Sequence, residues 1–304
     1  MKILYSSDTH VHPDHLGRFL KFAGEQRPQV LIIGGDIIPD WQGSIEASIE
    51  PHKRWVREML LPRLKVFRET FPQTPVLLDL GNDDIAAARP MMEARDGVDL
   101  HLLHRRVVGI GENLAVAGYM AVNPTPFRIK DWEKPDCRDH HGLSEPGVLK
   151  AGYVTGSGQA APFELDSRAG TMEDDLDELS AVLESPRWFD CSFIFVCHAP
   201  PKDTVLDQTT TGSHVGSLAV RRFIERWGTT GRLIASLHGH IHESPRMSGR
   251  IWQQVGNIPS FNVGQHSQTF RALLFDIEAV TLSAQLVTVA RTGEVTIMKK
   301  GELF

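Results

Sequence analysis

Apolar runs at residues 2–7, 30–33, 75–80, 192–196 and 233–237 predict strands. Between them the spacing turns helical. Leu16, Phe19, Leu20 and Ala23 recur behind Pro13, which suits a helix start. Val56, Met59, Leu60, Leu64 and Phe67 form a second stripe that Pro62 should kink. Val220, Phe223, Ile224 and Trp227 form another behind Ser217, a capping residue. A helix is expected from Ile85, whereas residues 44–51 fit neither period. Thr171 should cap a helix with Leu176, Leu179 and Leu183 beneath, and Glu173, Asp174 and Asp175 suit its positive end. Residues 107–110 and 114–119 flank Gly111-Glu112-Asn113 and predict a hairpin. Residues 252–255, 261–263, 271–277, 281–289 and 294–298 read as short strands. Alternating strands and helices predict an α/β chain. With no repeat or linker, residues 1–304 are expected to form a single domain with two sheets. Residues 123–170, rich in Pro, Gly and charge and without a period, are too long for a connection and predict a lid or insertion.

Where the predicted strands stop, the side chains share a chemistry. Asp8 and His10 follow the first, Asp36 the second and Asn82 the third; His198 follows 192–196, and His240 and His242 follow 233–237. Residues two apart in extended chain point the same way. Asp8 and His10, like His240 and His242, can therefore face one point beyond the carboxyl edge, where open α/β sheets bind ligands. Gly239 leaves the backbone room to turn. All seven are oxygen or imidazole donors and none is a thiolate, which suits Mn, Fe, Zn or Co. Seven exceed the needs of one tetrahedral ion and fit two ions sharing a carboxylate.

Composition narrows the partners. A net charge of −6 argues against coating nucleic acid or a basic membrane-surface role. Arg105-Arg106 and Arg221-Arg222 are isolated pairs, so a nuclease is the weaker enzymatic reading. The 41% apolar content permits a sizeable core. Three cysteines without a C-x-x-C pair offer neither a disulfide framework nor a structural zinc signature. The first residues lack the apolar length of a signal peptide, and no run is long enough to span a bilayer. The expectation is a cytoplasmic protein, with homo-oligomer formation left open.

Asp8-x-His10, Gly35-Asp36, Gly81-Asn82, His198 and Gly239-His240-x-His242, in that order, resemble the calcineurin-like metallophosphoesterases over residues 3 to about 264. Pro124–Phe127, His198–Pro201, His214–Ser217 and Asn262–Gly264 resemble small prokaryotic members. The resemblance implies a four-layer α-β-β-α sandwich, two mixed β-sheets flanked by helices. It implies that Asp8, His10 and His242 hold a first metal, that Asn82, His198 and His240 hold a second, and that Asp36 bridges them. It further implies that a hydroxide between the ions attacks phosphorus and that Asn82 touches a phosphate oxygen. One block departs from the pattern. The family usually has Gly-Asn-His-Asp/Glu, whereas this chain has Gly81-Asn82-Asp83-Asp84. A carboxylate is a poor proton donor at neutral pH and repels a phosphomonoester dianion. The expectation is thus a phosphodiesterase acting on a small-molecule or nucleotide-like ester. The alternatives are a metal-binding interaction scaffold without turnover and the nuclease.

Several further residues carry two readings. His214 either replaces the missing proton donor or braces the loop before Ser217. His12 and His15 are expected in an exposed loop. His10-x-His12 also resembles the metal pair of amidohydrolase barrels, but the β-rich end of the chain argues against that fold. His238 is expected to serve the core or to support the ligands, and Asp40 and Asp84 to support the ligands or a turn. Trp41, Phe127 and Trp132 could wall a substrate pocket, with a core or surface role the plainer reading.

Overall fold

The computed structural model describes residues 1–39 and 43–299. Asp40 and Trp41 lie outside the described residues. The first half of the chain contributes strands β1 (Lys2–Ser6), β2 (Val30–Ile33), β3 (Val76–Leu78), β4 (His101–Leu102), β5 (Arg106–Gly111), β6 (Leu114–Tyr119), β7 (Ala151–Val154) and β8 (Ala161–Glu164). The second half adds β9 (Ser192–Cys197), β10 (Leu233–His238), β11 (Trp252–Val255), β12 (Ile258–Asn262), β13 (Thr269–Asp276), β14 (Gln285–Ala290) and β15 (Val295–Lys299). One sheet runs β15-β14-β13-β1-β2-β3-β4, a second runs β11-β12-β10-β9-β6-β5, and β7-β8 stand apart as a hairpin. Both large sheets are mixed. In the first, β1, β2, β3 and β4 pair in parallel and β13 closes antiparallel on β1; in the second, β6, β9, β10 and β12 are the parallel core.

The strands read as continuous apolar runs because both of their faces are covered. Along β1 and β2, Ile3, Tyr5, Val30 and Ile32 point between the sheets, where they meet Val116, Ile194, Val196 and Leu237. The alternate residues Leu4, Leu31 and Ile33 face α1 (His15–Gln26), α2 (Ile45–Trp55) and α3 (Leu61–Thr70), meeting Leu16, Phe19, Ile49 and Leu64. The outer face of the second sheet is covered by two further helices at Met172–Leu183 and Leu218–Gly228, through Leu176, Leu179, Phe223 and Trp227. Helices, sheet, sheet, helices is the four-layer α-β-β-α sandwich.

The elements differ locally from expectation. Residues 45–51 belong to α2, and Ser44 caps it by accepting a hydrogen bond from Ala47 N. The expected kink at Pro62 takes the form of a π-helical turn over Val56–Leu60. Pro62 then sits in the first turn of α3, where its missing N–H costs nothing. Met59 lies outside the buried stripe, because the wider π-turn rotates it towards solvent. After Ile85 the chain makes a 3-10 turn and a helix of only five residues. Residues 281–289 divide into a short helix, Val280–Ser283, and β14. Thr171 forms a capping box with Asp174. Within 123–170 only β7, β8 and a 3-10 turn at Ser167–Ala169 are regular, yet the segment is firmly anchored. Asp136 accepts from Ser217 Oγ and from Leu218 N and Ala219 N, holding the N-terminus of the Leu218–Gly228 helix.

Candidate metal centre and active site

The carboxyl ends of β1, β2 and β3 meet those of β9 and β10 at one edge of the sandwich. The chain there leaves extended geometry at once. Asp8, Asp36 and His240 all have positive φ, at 55°, 51° and 67°, a conformation that costs a non-glycine residue free energy and gathers at functional sites. His240 and His242 thus sit on a turn, with Ile241 N donating to Gly239 O at 2.8 Å, and not on an extended segment. Strand alternation does not aim them, and they go to adjoining places. Gly239 is needed for a close approach: a Cβ there would collide with Ser7 Oγ and Asp8 Oδ2. His240 N donates to Asp8 Oδ1 at 2.9 Å across this contact, tying the two sheets together.

Two groups of ligating atoms result. Asp8, His10, Asp36 and His242 converge in one, and Asp36, His198 and His240 in the other, so Asp36 is common to both. His242 Nε2 lies 3.3 Å from Asp8 Oδ1, and the Nε2 atoms of His10 and His242 are 3.1 Å apart. His198 Nε2 lies 3.0 Å from Asp36 Oδ2 and 3.1 Å from Asn82 Oδ1. Its other nitrogen, Nδ1, is 2.7 Å from Gly34 O. A carbonyl only accepts, so Nδ1 carries a proton, while Nε2 faces two further acceptors. At these distances a cation, whether the second proton of the ring or a metal ion, belongs between Nε2 and those acceptors. The donor set fits two metal ions by its own chemistry.

The electrostatics agree. Burial works against charge on Asp8 and Asp36, yet the neighbouring histidines outweigh it and hold both carboxyls below the ordinary range. Burial likewise disfavours a charged His198, but Asp36 and Asp8 raise its pKa well above that of free histidine. Burial and the proximity of His198 push His240 down to about 3, keeping its ring neutral.

Around the donors the supports are backbone-directed. Asp84 is fully buried and accepts from Gly81 N at 2.8 Å, Ile38 N at 2.8 Å and Ile37 N at 3.0 Å, locking the loop that bears Asn82 to the one that bears Asp36. Asp83 N donates to Asp36 Oδ1 at 2.9 Å, and the Asp83 side chain accepts from Asn82 Nδ2 at 2.9 Å. His238 is a core residue, bonded to the carbonyls of Cys197 and Ala199 and to Ser236 Oγ. His12 stands apart from the donors, and Trp132 packs in the core against His104. His15 overturns its expectation. It opens α1, is wholly buried and packs against Phe270. A third acidic group, Cys137 with Asp139 and Glu173, is already engaged by Arg222, which donates to both carboxylates.

A cavity of about 630 Å³ opens over the donors. Asp83, Phe127, Lys202, His214, His240 and His242 line it. His214 Nδ1 is 2.7 Å from Oδ1 of the buried Asp207, which also accepts from the backbone of Asp203, Thr204 and Gly216. Sequence reasoning misses Asp207. It follows no strand, and nothing in its neighbourhood marks the pairing.

The calcineurin-like phosphoesterase family profile matches residues 1–244. Among solved structures, TT1561 of Thermus thermophilus superposes with a TM-score of 0.53 at 14% identity, over 98% of both chains. A dimetal phosphatase from Danio rerio superposes with a TM-score of 0.52 at 12% identity, over 99% of both. At these identities the likeness is one of fold. None of the curated proteins matches the chain.

Proposed function

From the chain's membership of the calcineurin-like phosphoesterase family, a family of metal-dependent phosphoester hydrolases, we propose that it is a phosphodiesterase with a dinuclear metal centre, formed within one domain of residues 1–304 that carries 123–170 as an insertion. The observation that carries this reading is the pair of donor groups sharing Asp36, with the Asp83 carboxylate beside them where the family's histidine would stand. Asp8, His10 and His242 would hold one ion, Asn82, His198 and His240 the other, and Asp36 both. When bound, such a pair lowers the pKa of a water molecule and offsets charge on phosphoryl oxygens.

The chain's own side chains then set the preference. Asp83 Oδ2 lies 3.8 Å from His10 Nδ1 and lines the cavity over the donors, so its negative charge would meet the phosphoryl group. A phosphomonoester dianion is repelled more strongly than a singly charged diester. Hydrolysis breaks one P–O bond, water supplies the new oxygen, and the departing oxygen takes up a proton. His214 is the proposed source of that proton. Asp207 accepts from its Nδ1–H and holds the ring in place, and Nε2, which has the Gln208 amide 3.4 Å away, is the atom that would have to turn to the departing oxygen. Asn82 is proposed to touch a phosphate oxygen through its amide.

The test is hydrolysis of bis-p-nitrophenyl phosphate against p-nitrophenyl phosphate, on protein stripped of metal and reloaded with Mn. The diester should be cleaved in clear preference, and His240→Ala should abolish the activity. A better monoester rate would overturn the role given to Asp83. Metal binding with no cleavage of either ester would leave the interaction scaffold as the better reading.

A further inference from the structure

A second cavity, of about 660 Å³, lies beside the one over the donors, and the two share Asp83, Pro126 and Phe127 as a common lip. Each has the volume of a small-molecule site. They differ in what lines them. The first holds His240, His242, Lys202 and His214. The second contains none of the seven donors and is walled by Arg128, Tyr153, Glu46 and His52. A phosphoryl group at the donors therefore has one arm's room on either side of the lip. A monoester, with a single organic arm, would leave one side to water.

Resting on the phosphodiesterase reading, we propose that the Arg128–Tyr153 cavity seats the retained arm of a phosphodiester, and that this arm is a planar aromatic group. The leaving arm belongs on the other side, where His214 stands. The Arg128 guanidinium lies over the Tyr153 ring, 5.4 Å from its centroid. A flat ring entering beside this pair meets a cationic plane and an aromatic face, both of which favour stacking over contact with a bulky aliphatic group. The wall is built rather than incidental. Tyr153 N donates to Arg128 O and Lys130 N to Tyr153 O, both at 2.8 Å, so β7 is laid against residues 128–130 as an added strand. Gly152 permits this approach, since a Cβ there would strike Arg128 O and the Lys130 side chain. The lip is fixed from beneath. Thr125 N and Oγ1 both donate to the buried Glu133, which is paired with the buried Lys130.

The experiment uses the full chain loaded with Mn and two readouts. Calorimetric titration compares diphenyl phosphate with dimethyl phosphate and dicyclohexyl phosphate, all poor substrates. Steady-state kinetics compare bis-p-nitrophenyl phosphate with methyl p-nitrophenyl phosphate, which share a leaving group and differ in the retained arm. Diphenyl phosphate should bind about tenfold more tightly than either other ester. Arg128→Met and Tyr153→Leu should each remove most of that advantage and lower the bis-to-methyl ratio of kcat/KM about tenfold. Both positions face solvent in part, and a thermal melt of each variant checks the fold; Arg128→Met alone suffices if Tyr153→Leu loosens the hairpin. Equal binding of the three esters, or an unchanged ratio in a folded variant, overturns the proposal, and equal binding of the dicyclohexyl and diphenyl esters overturns its planar arm. If diphenyl phosphate binds in this Arg128-dependent way and no diester is cleaved, the cavity assignment stands and the hydrolase reading falls. If diesters are cleaved without regard to the retained arm, the reverse holds.

Discussion

At the scale of single side chains, His15 sets a cost that pH should reveal. Both ring nitrogens are buried without a hydrogen-bond partner among the described residues. Burial, helped by the charges of Arg18 and His12, lowers its pKa to about 3. In the unfolded chain a histidine titrates near 6.5. The folded pKa is the lower one, so below pH 6.5 the unfolded chain takes up a proton that the folded chain refuses. Stability present above 6.5 is therefore lost as the pH falls towards 3. At pH 5 this amounts to about 2 kcal/mol. His15→Leu should regain about that much at pH 5 relative to its effect at pH 8, in urea unfolding at both pH values. The comparison cancels the titrating groups that both proteins share, and an equal effect at the two pH values would refute the account. The polar neighbours of His15 in sequence suggest a loop. It is buried because α1 begins at that residue and lays its ring on Phe270, more than two hundred positions away.

Among the elements, residues 123–170 enclose a buried ion pair. Lys130 Nζ contacts Glu133 Oε2 at 2.8 Å and Oε1 at 3.0 Å, and both side chains are almost fully buried. Removing one member of such a pair leaves a buried charge unpaired and costs about 3–5 kcal/mol, whereas replacing both by apolar groups costs far less. Lys130→Met should therefore destabilise the protein by that amount in denaturant unfolding, and adding Glu133→Leu should restore much of the loss. If the double variant is as unstable as the single one, the pair is not the source of the anchoring. No periodicity in 123–170 announces this, since Lys and Glu three apart are usually a solvated pair. By contrast, the Leu218–Gly228 helix is legible in its apolar stripe and in Ser217, which accepts from Val220 N at 3.1 Å as a capping residue should.

For the whole molecule, the donors come from both sheets. Asp8, His10, Asp36 and Asn82 follow strands of the first sheet, and His198, His240 and His242 follow strands of the second. Ions held between them would clamp the sheets edge to edge. A ligand that binds only the folded state, present at about a thousand times its Kd, adds about 4 kcal/mol. For a chain of this length that is about 6 °C in Tm. Chelation should lower the Tm by about this amount and Mn should restore it, with His240→Ala blunting the response. A melting temperature indifferent to both chelator and Mn would remove the clamp.

The sequence by itself determined most strands of the two large sheets and the donors at their carboxyl ends, while the order of the layers came with the family resemblance. The strands and donors follow from runs of apolar residues and from the rule that a residue just after a buried strand emerges at the sheet edge. His198 and Asp36 are examples: no tertiary knowledge is needed to place them at that edge. Only the tertiary structure decided that Asp207 orients His214 and that β7 brings Tyr153 against Arg128, and only it shows the turn by which His240 and His242 reach the different donor groups that the resemblance implies. Each of these depends on a left-handed turn or on contact between residues distant in the chain. Their energies come from hydrogen bonds and close approaches that no local pattern of hydrophobicity encodes.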